Sequence, residues 1–197
     1  MNQNESRQPQ LDPLSRQQIL ILMGITALIL FIIGNLWRMI GNVDLLAWQI
    51  TGVACLQGVA IAIGIIAASS ILYAVWGNYR ESVDVYLEFV LRPLALPDVL
   101  WLGLLPGLSE EFLFRGIMLP ALGMGWAALG VSSLIFGVLH ISGVQQWSYA
   151  VWAAIIGLVL GYSAIATGNL FVPILAHIIT NFTSSLIWKL RNRPAST

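Results

Sequence analysis

The sequence predicts an all-α fold, a polytopic membrane bundle of about six transmembrane helices with one amphipathic helix at the membrane surface. Only 9% of the 197 residues are charged, whereas soluble domains average about 25%. Hydrophobic residues make up 58% of the chain and recur in stretches of roughly 20, the length that crosses a bilayer. One charged segment, residues 78–93, spaces its apolar residues as a surface helix does.

The N-terminal part of the chain is predicted to hold two membrane helices within residues 18–97, after a polar tail at residues 1–17. The first helix, at 18–37, follows an arginine-containing tail, as the hydrophobic part of a signal peptide would. Its apolar run is longer than a usual signal sequence and no small-residue cleavage site follows, so we interpret it as a retained helix. The second helix, at 46–75, is long for one crossing and is expected to tilt.

Residues 78–93 form the most charged segment and are predicted to be an amphipathic helix. Opposite charges stand four residues apart in it, a spacing that allows ion pairs. We expect this helix to lie in the headgroup region as a connector. The alternative is a gate at the mouth of a site. Its apolar face consists of Val83, Tyr86, Leu87 and Val90, and the charge pairs are Arg80–Asp84 and Glu88–Arg92.

The other membrane helices are predicted in residues 98–190, the expected functional core, which a polar tail at residues 191–197 follows. Two of these helices contain glycines four residues apart, and such pairs let membrane helices pack closely. The predicted helices are 98–119, 122–141, 147–166 and 170–190, and the glycine pairs are Gly103–Gly107 and Gly157–Gly161.

Positively charged residues predict the orientation of the bundle, because they are enriched in cytoplasmic loops. With about six spans, Arg38 alone falls in a loop on the opposite side from the other basic residues. Both termini are therefore predicted to be cytoplasmic. The residues on the cytoplasmic side would be Arg7, Arg16, Arg80, Arg92, Lys189, Arg191 and Arg193.

The stretch SEEFLFRG, residues 109–116, places three ionisable residues between strongly apolar flanks. An ionised side chain at the bilayer centre costs about 2.5–3.5 kcal/mol, so Glu110, Glu111 and Arg115 must face the bundle interior or a wet cavity. Arg115 follows Glu111 by four residues and can pair with it, whereas Glu110 is rotated by about 100°. The spacing therefore predicts one neutralised carboxylate and one, Glu110, that is free to act as a general base.

Both histidines of the protein lie in or at the end of apolar stretches. His140 ends the stretch SSLIFGVLH, and His177 shares a helical face with Asn181, four residues later. At about 1.5 Å per residue, Glu110, His177 and Asn181 fall near mid-membrane, with His140 nearer the cytoplasmic end. We expect these polar residues to meet in one cavity that opens to the cytoplasm.

Several chemistries fit this set of residues. Glu110 and His140 can deprotonate a water. His177 and Asn181 can then stabilise the oxyanion that forms in amide hydrolysis. Glu110 with the two imidazoles also matches the His₂Glu ligand set of catalytic zinc sites. A proton relay in a transporter, or a buried ion pair that only fixes helix packing, is a further alternative.

Other protease designs and binding roles are disfavoured. No His-Glu-x-x-His motif and no Gly-x-Ser-Gly motif occurs, and the aspartates lie in the termini, in loops or at a helix boundary. The formal net charge of +0 gives no indication of a nucleic-acid partner. The single cysteine, Cys55, can form no internal disulfide.

Three motifs, in order and on separate apolar stretches, resemble those of a known family. EEFLFRG fits Glu-Glu-x-x-x-Arg, FGVLH fits Phe-x-x-x-His and HIITN fits His-x-x-x-Asn. Over roughly residues 98–190 the chain resembles the CAAX protease and bacteriocin-processing (CPBP, Abi) family of intramembrane endopeptidases, which includes the Ras-converting CAAX endoprotease.

The resemblance implies a glutamate-type intramembrane protease that acts on peptides or protein C-termini near the cytoplasmic face. No cofactor is expected, with zinc as the less favoured alternative, and the expected partners are a peptide or protein substrate and membrane lipid. Because some family members act in bacteriocin self-immunity or as scaffolds, a non-catalytic role is the competing interpretation. By resemblance, Glu110 and His140 activate water, His177 and Asn181 form the oxyanion site, and Glu111, Arg115 and Phe136 support them.

Overall fold

The computed structural model describes residues 14–141, 143 and 146–192. Every regular element in this part of the chain is helical. The predicted polar tails, 1–17 and 191–197, lie mostly outside the described residues. The elements are α1 (Arg16–Gly41), α2 (Gly52–Val75), α3 (Gly77–Leu91), a 3₁₀ turn (Leu96–Asp98), α4 (Val99–Glu111), a π-helix (Phe112–Met118), α5 (Leu119–Ala121), α6 (Trp126–Val138), α7 (Trp147–Thr167) and α8 (Phe171–Arg191).

The all-α, polytopic membrane fold is confirmed, but the count of about six spans is corrected. Among the described residues, 4 helices are long and apolar enough to cross a membrane: α1, α2, α7 and α8. A fifth span results if α3 and the helical stretch Leu96–Ala121 form one broken span, bent by 113°. That stretch is interrupted by the charges of its SEEFLFRG segment, and the 13 residues of α6 rise only about 20 Å.

The outer faces of α1 and α2 are apolar. Ile21 and Leu28 on α1 are 58% and 59% exposed, and Ile63 on α2 is 61% exposed. Large side chains of this kind rarely form a continuous water-exposed surface, whereas lipid accommodates them without cost. Together with the length of the helices, this surface makes the chain an integral membrane protein.

Local sequence signals explain where the membrane helices begin and end. The Ser15 side chain caps α1 by accepting a hydrogen bond from the Gln18 backbone N–H, and the Gln18 side-chain oxygen accepts one from the Ser15 backbone N–H. Thr51 caps α2 in a similar way. Helix α7 ends at Gly168, which adopts a left-handed conformation at φ +60° that glycine accepts more readily than other residues.

The second membrane helix begins at Gly52, later than the predicted residue 46. Residues 43–51 have no regular secondary structure instead and form a strap between α1 and α2. Leu46 donates its backbone N–H to the Gly116 carbonyl in the π-helix over 3.0 Å, and Ala47 accepts from Leu170 over 2.8 Å. The segment is apolar enough for a helix, but these tertiary hydrogen bonds satisfy its backbone in another way.

Helix α3 is the predicted amphipathic helix, and its ion pairs are partly as expected. Glu88 and Arg92 pair over 2.6 Å. Arg80 does not pair with Asp84, because its guanidinium donates to the backbone carbonyls of Tyr73 and Ala74 at the end of α2. Asp84 accepts from the Tyr73 hydroxyl over 2.8 Å instead. The last carbonyls of α2 have no intrahelical donors, so an arginine nearby is drawn to them.

Glycines bring α4 and α8 into close contact, as the small-residue spacing predicts. A Cβ on Gly103 would lie 2.9 Å from the Ile178 carbonyl oxygen, and one on Gly107 would lie 2.5 Å from the Ile178 side chain. Helix α7 approaches α6 through a second pair, since a Cβ on Gly157 would lie 3.1 Å from Ser133. These contacts set the positions of the ionisable residues on α4 and α8.

Candidate active site

The polar residues predicted to meet do lie around one cavity. It has a volume of about 670 Å³ and extends between α2, α3, α4, α7 and α8. Behind its wall, Glu111 and Arg115 are fully buried. The predicted residues that line it are Glu110, Phe136, His140, His177 and Asn181.

Glu111 and Arg115 form an ion pair inside the bundle. The guanidinium Nη1 of Arg115 donates to Glu111 Oε1 over 2.8 Å, and its Nη2 donates to the Gly157 carbonyl over 3.0 Å. Both side chains are 0% exposed. A buried charge without a partner is strongly destabilising, so each of these residues depends on the other.

Phe136 packs between the cation and the imidazoles. The Arg115 guanidinium carbon lies 4.5 Å from the centre of the Phe136 ring, a cation–π contact. The same ring has its centre 4.6 Å from that of His140 and 6.1 Å from that of His177. Phe136 therefore fixes the positions of these three side chains without contributing a polar group.

The structure adds a contact that the sequence spacing does not reveal. His177 Nδ1 lies 2.7 Å from Glu111 Oε1, the oxygen that also accepts from Arg115. Glu111 thus joins the arginine to the imidazole, a role beyond the local ion pair. These two residues are 66 positions apart, so helix periodicity within either segment gives no signal of the contact.

Glu110 faces the cavity rather than this buried group. Its Oε2 lies 3.9 Å from His140 Nε2 and 4.0 Å from His177 Nε2. Among the described residues, that oxygen has no hydrogen-bond partner. The Glu110 side chain is 18% exposed, whereas that of Glu111 is 0% exposed. The two adjacent carboxylates therefore have different surroundings, one paired in the core and one open to the cavity.

The hydrogen bonds at Nδ1 determine what each imidazole offers at Nε2. His140 Nδ1 lies 2.7 Å from the Phe136 carbonyl, which can only accept, so Nδ1 carries the proton. His177 Nδ1 likewise donates to the carboxylate of Glu111. A neutral imidazole then has a lone pair at Nε2. Two such lone pairs face Glu110 across gaps that are too long for direct hydrogen bonds and suit a bridging water.

A zinc ion is the alternative occupant of these donors. Among the residues that the structure describes, no group of three His, Cys, Asp or Glu side chains is arranged to hold a metal ion. Zinc bonds to nitrogen and oxygen at about 2.0–2.1 Å, which draws its tetrahedral ligands closer together than the Glu110–histidine distances.

Helix α3 forms part of the cavity wall as well as connecting α2 to the core. Tyr86 lines the cavity, and its ring stacks on that of Tyr149 with centres 5.0 Å apart. The Tyr149 ring in turn approaches His140, at 6.1 Å between centres. Glu88 and Arg191, near the ends of α3 and α8, also line the cavity.

Comparison with known proteins yields one family and one relative. Residues 92–183, which include all the candidate site residues, match a family model described as type II CAAX prenyl endopeptidase Rce1-like. The chain is 32% identical over 122 residues to the uncharacterized protein YpbD of Bacillus subtilis (strain 168). That alignment covers 62% of this chain and 62% of the relative, so the match spans less than two thirds of the relative's length. No solved structure matches the chain.

Proposed function

Because residues 92–183 carry the Rce1-like sequence of type II CAAX prenyl endopeptidases, we propose that this protein is an intramembrane endopeptidase. One observation carries the proposal. The Nε2 atoms of His140 and His177 approach a single unpaired oxygen of Glu110, at 3.9 and 4.0 Å, inside an apolar helix bundle. Such a group is suited to holding and deprotonating a water.

Peptide hydrolysis at this site begins with a water held between Glu110 and His140. As the water oxygen bonds to the scissile carbonyl carbon, Glu110 takes the proton that the water loses. The carbonyl becomes a tetrahedral oxyanion. Transfer of that proton to the amide nitrogen lets the C–N bond break, which yields a carboxylic acid and an amine and returns Glu110 to its ionised form.

The oxyanion is stabilised by His177 and Asn181, which lie one turn apart on α8 and line the cavity. His177 donates from Nε2 only as an imidazolium, because its Nδ1 proton is already engaged by Glu111. Glu110 is protonated while the oxyanion exists, so the Glu111 carboxylate and the oxyanion itself balance the charge of that imidazolium. Arg115 and Phe136 are positioning residues, since they hold Glu111 and the two imidazoles in place.

The substrate class follows from the family and the location of the site. The family description points to prenylated C-terminal peptides, and a site enclosed by membrane helices favours a substrate held at the bilayer. A cavity of about 670 Å³ accommodates a short peptide segment. No metal takes part in the proposed mechanism.

A scaffold or immunity protein that keeps these residues for packing is the second candidate. Packing explains Glu111 and Arg115, which are fully buried and paired. It does not explain Glu110, which lines the cavity beside two imidazoles and has no arginine or lysine partner among the described residues. An unpaired carboxylate in the membrane destabilises the fold, so its presence favours a catalytic role.

The test compares wild type with Glu110→Gln, which keeps the shape of the side chain and removes the carboxylate. The protein, in proteoliposomes, receives a quenched peptide that ends in a farnesylated CAAX sequence. We expect kcat to fall by about 10³-fold, within the range for loss of a general base. Glu81→Gln is the matched control, because Glu81 is exposed on α3 and does not line the cavity.

A second comparison identifies natural substrates. Membrane peptides from cells that express wild type or Glu110→Gln are quantified by mass spectrometry. Substrates that the wild type cleaves should accumulate uncut in cells that express the variant. If Glu110→Gln protein is folded and inserted in the membrane and still processes peptides as wild type does, the proposed protease function is wrong.

Both termini are proposed to face the cytoplasm, which requires an even number of spans such as the four of α1, α2, α7 and α8, with the cavity open to the same side. The basic residues near the helix ends support this, because Arg191 lies at the end of α8 and Arg80 lies in α3, while Arg38 lies at the opposite end of α1. A fluorescent protein fused to the C-terminus should fluoresce in the cytoplasm. A C-terminal reporter found on the outer side of the membrane would contradict this topology.

A further inference from the structure

Thr180 carries a buried hydroxyl that no protein group satisfies. It lies on α8 between His177 and Asn181, and it lines the same cavity as Glu110. The residue is only 8% exposed, and among the residues that the structure describes its Oγ1 has no hydrogen-bond partner. A hydroxyl taken out of water normally finds a partner, so one that has none on a residue that lines a cavity is a candidate for contact with a ligand.

Among the described residues the Ser133 hydroxyl on α6 also has no partner, but Ser133 does not line the cavity, and three other helical hydroxyls are satisfied locally. Ser70 and Ser109 each donate to the carbonyl four residues earlier, at 2.8 and 2.7 Å, and so does Thr167 at 2.6 Å. That local bond is the usual solution for serine and threonine within a helix. Thr180 does not form it, which leaves an unused hydroxyl donor on a residue that lines the cavity.

The oxyanion site of the proposed reaction has one donor fewer whenever His177 is neutral. His177 engages its Nδ1 proton with Glu111, so a neutral His177 presents only a lone pair at Nε2. Asn181 then remains as the other assigned donor on α8. An oxyanion site generally supplies two donors that are oriented before the reaction. Thr180 follows His177 by three residues and so shares its helical face.

We propose that the Thr180 hydroxyl donates a hydrogen bond to the scissile carbonyl oxygen and, with Asn181, completes the oxyanion site. Thr180 would then be a catalytic residue for the proposed reaction. The hydroxyl stays neutral, so its contribution requires no proton uptake by His177. This inference rests on the proposed peptidase function and adds a residue that the three sequence motifs do not specify.

The test uses two substitutions at this position and the farnesylated quenched peptide. Thr180→Val replaces the hydroxyl by a methyl group of similar shape, and we expect kcat to fall by about 10²-fold with KM nearly unchanged. Thr180→Ser retains a hydroxyl and should keep kcat close to wild type. Thermal unfolding of each variant in the same micelles checks that the protein remains folded.

Two outcomes would overturn the proposal for Thr180. In one, folded Thr180→Val has the kcat of wild type. In the other, Thr180→Ser loses as much activity as Thr180→Val, which would make packing rather than the hydroxyl responsible. Glu110→Gln separates this inference from the proposed function. If Glu110→Gln is inactive while Thr180→Val is fully active, the peptidase stands and only the role of Thr180 fails.

Discussion

Glu111 accepts a hydrogen bond from His177 Nδ1 over 2.7 Å, through the same oxygen that pairs with Arg115. A carboxylate in this position sets the tautomer and orientation of an imidazole, as in the catalytic triads of hydrolases. It also neutralises a fully buried arginine. Stability and chemistry therefore depend on one side chain, and suitable variants can separate the two.

Glu111→Gln should strongly destabilise the protein. Removal of the carboxylate leaves the Arg115 charge buried without its partner, and the free energy of unfolding should fall by about 3–5 kcal/mol. Reversible unfolding in mixed micelles measures this change. The control is Glu88→Gln, which breaks an exposed pair with Arg92 and should cost less than about 1 kcal/mol. Equal losses in the two variants would contradict the central role of the buried pair.

The double variant Glu111→Leu with Arg115→Met should recover most of that stability without recovering activity. Apolar side chains of similar volume often replace a buried ion pair at little cost. His177 would still lack its Nδ1 partner, so kcat should remain at least about 10²-fold below wild type. Unfolding and kcat are measured on the same preparation. Recovery of both quantities would make Glu111 a purely structural residue.

Gly107→Ala should push α4 away from α8. The added Cβ would lie 2.5 Å from the Ile178 side chain and 3.1 Å from its backbone nitrogen. We expect a loss of about 1–3 kcal/mol in the free energy of unfolding. Activity should also fall, since α4 carries Glu110 and α8 carries His177.

Gly64→Ala is the matched control for this substitution, because nothing lies within 4 Å of a Cβ on Gly64. It should leave the protein unchanged or stabilise it by up to about 1 kcal/mol, since alanine is the better helix former. Similar behaviour of the two variants would show that close α4–α8 contact is not required.

Chelation should leave activity intact. The two imidazole nitrogens near Glu110 lie 3.9 and 4.0 Å from its Oε2, farther apart than the ligands of tetrahedral zinc usually are. We expect 1,10-phenanthroline to leave kcat unchanged and purified active protein to contain far less than one zinc per chain. Stoichiometric zinc that is lost together with activity would instead support the His₂Glu alternative.

The sequence alone was sufficient for features that depend on short spacing. Apolar runs of membrane length predict the helical bundle, although the charges in SEEFLFRG and the shortness of α6 reduce the number of full spans. Helical periodicity places Arg115 one turn after Glu111 and turns Glu110 away from both, as in the structure. Such relationships arise within one helix, so nearby residues determine them.

Tertiary structure decided the rest. The bond between Glu111 and His177 requires α4 and α8 to approach through Gly103 and Gly107, and no local pattern encodes the depth or rotation of that contact. Residues 43–51 have the composition of a helix but form a strap, because their backbone makes hydrogen bonds with the backbones of Gly116 and Leu170. Side-chain contacts between distant segments depend on how whole helices pack, and this packing is a property of the assembled bundle rather than of any one stretch.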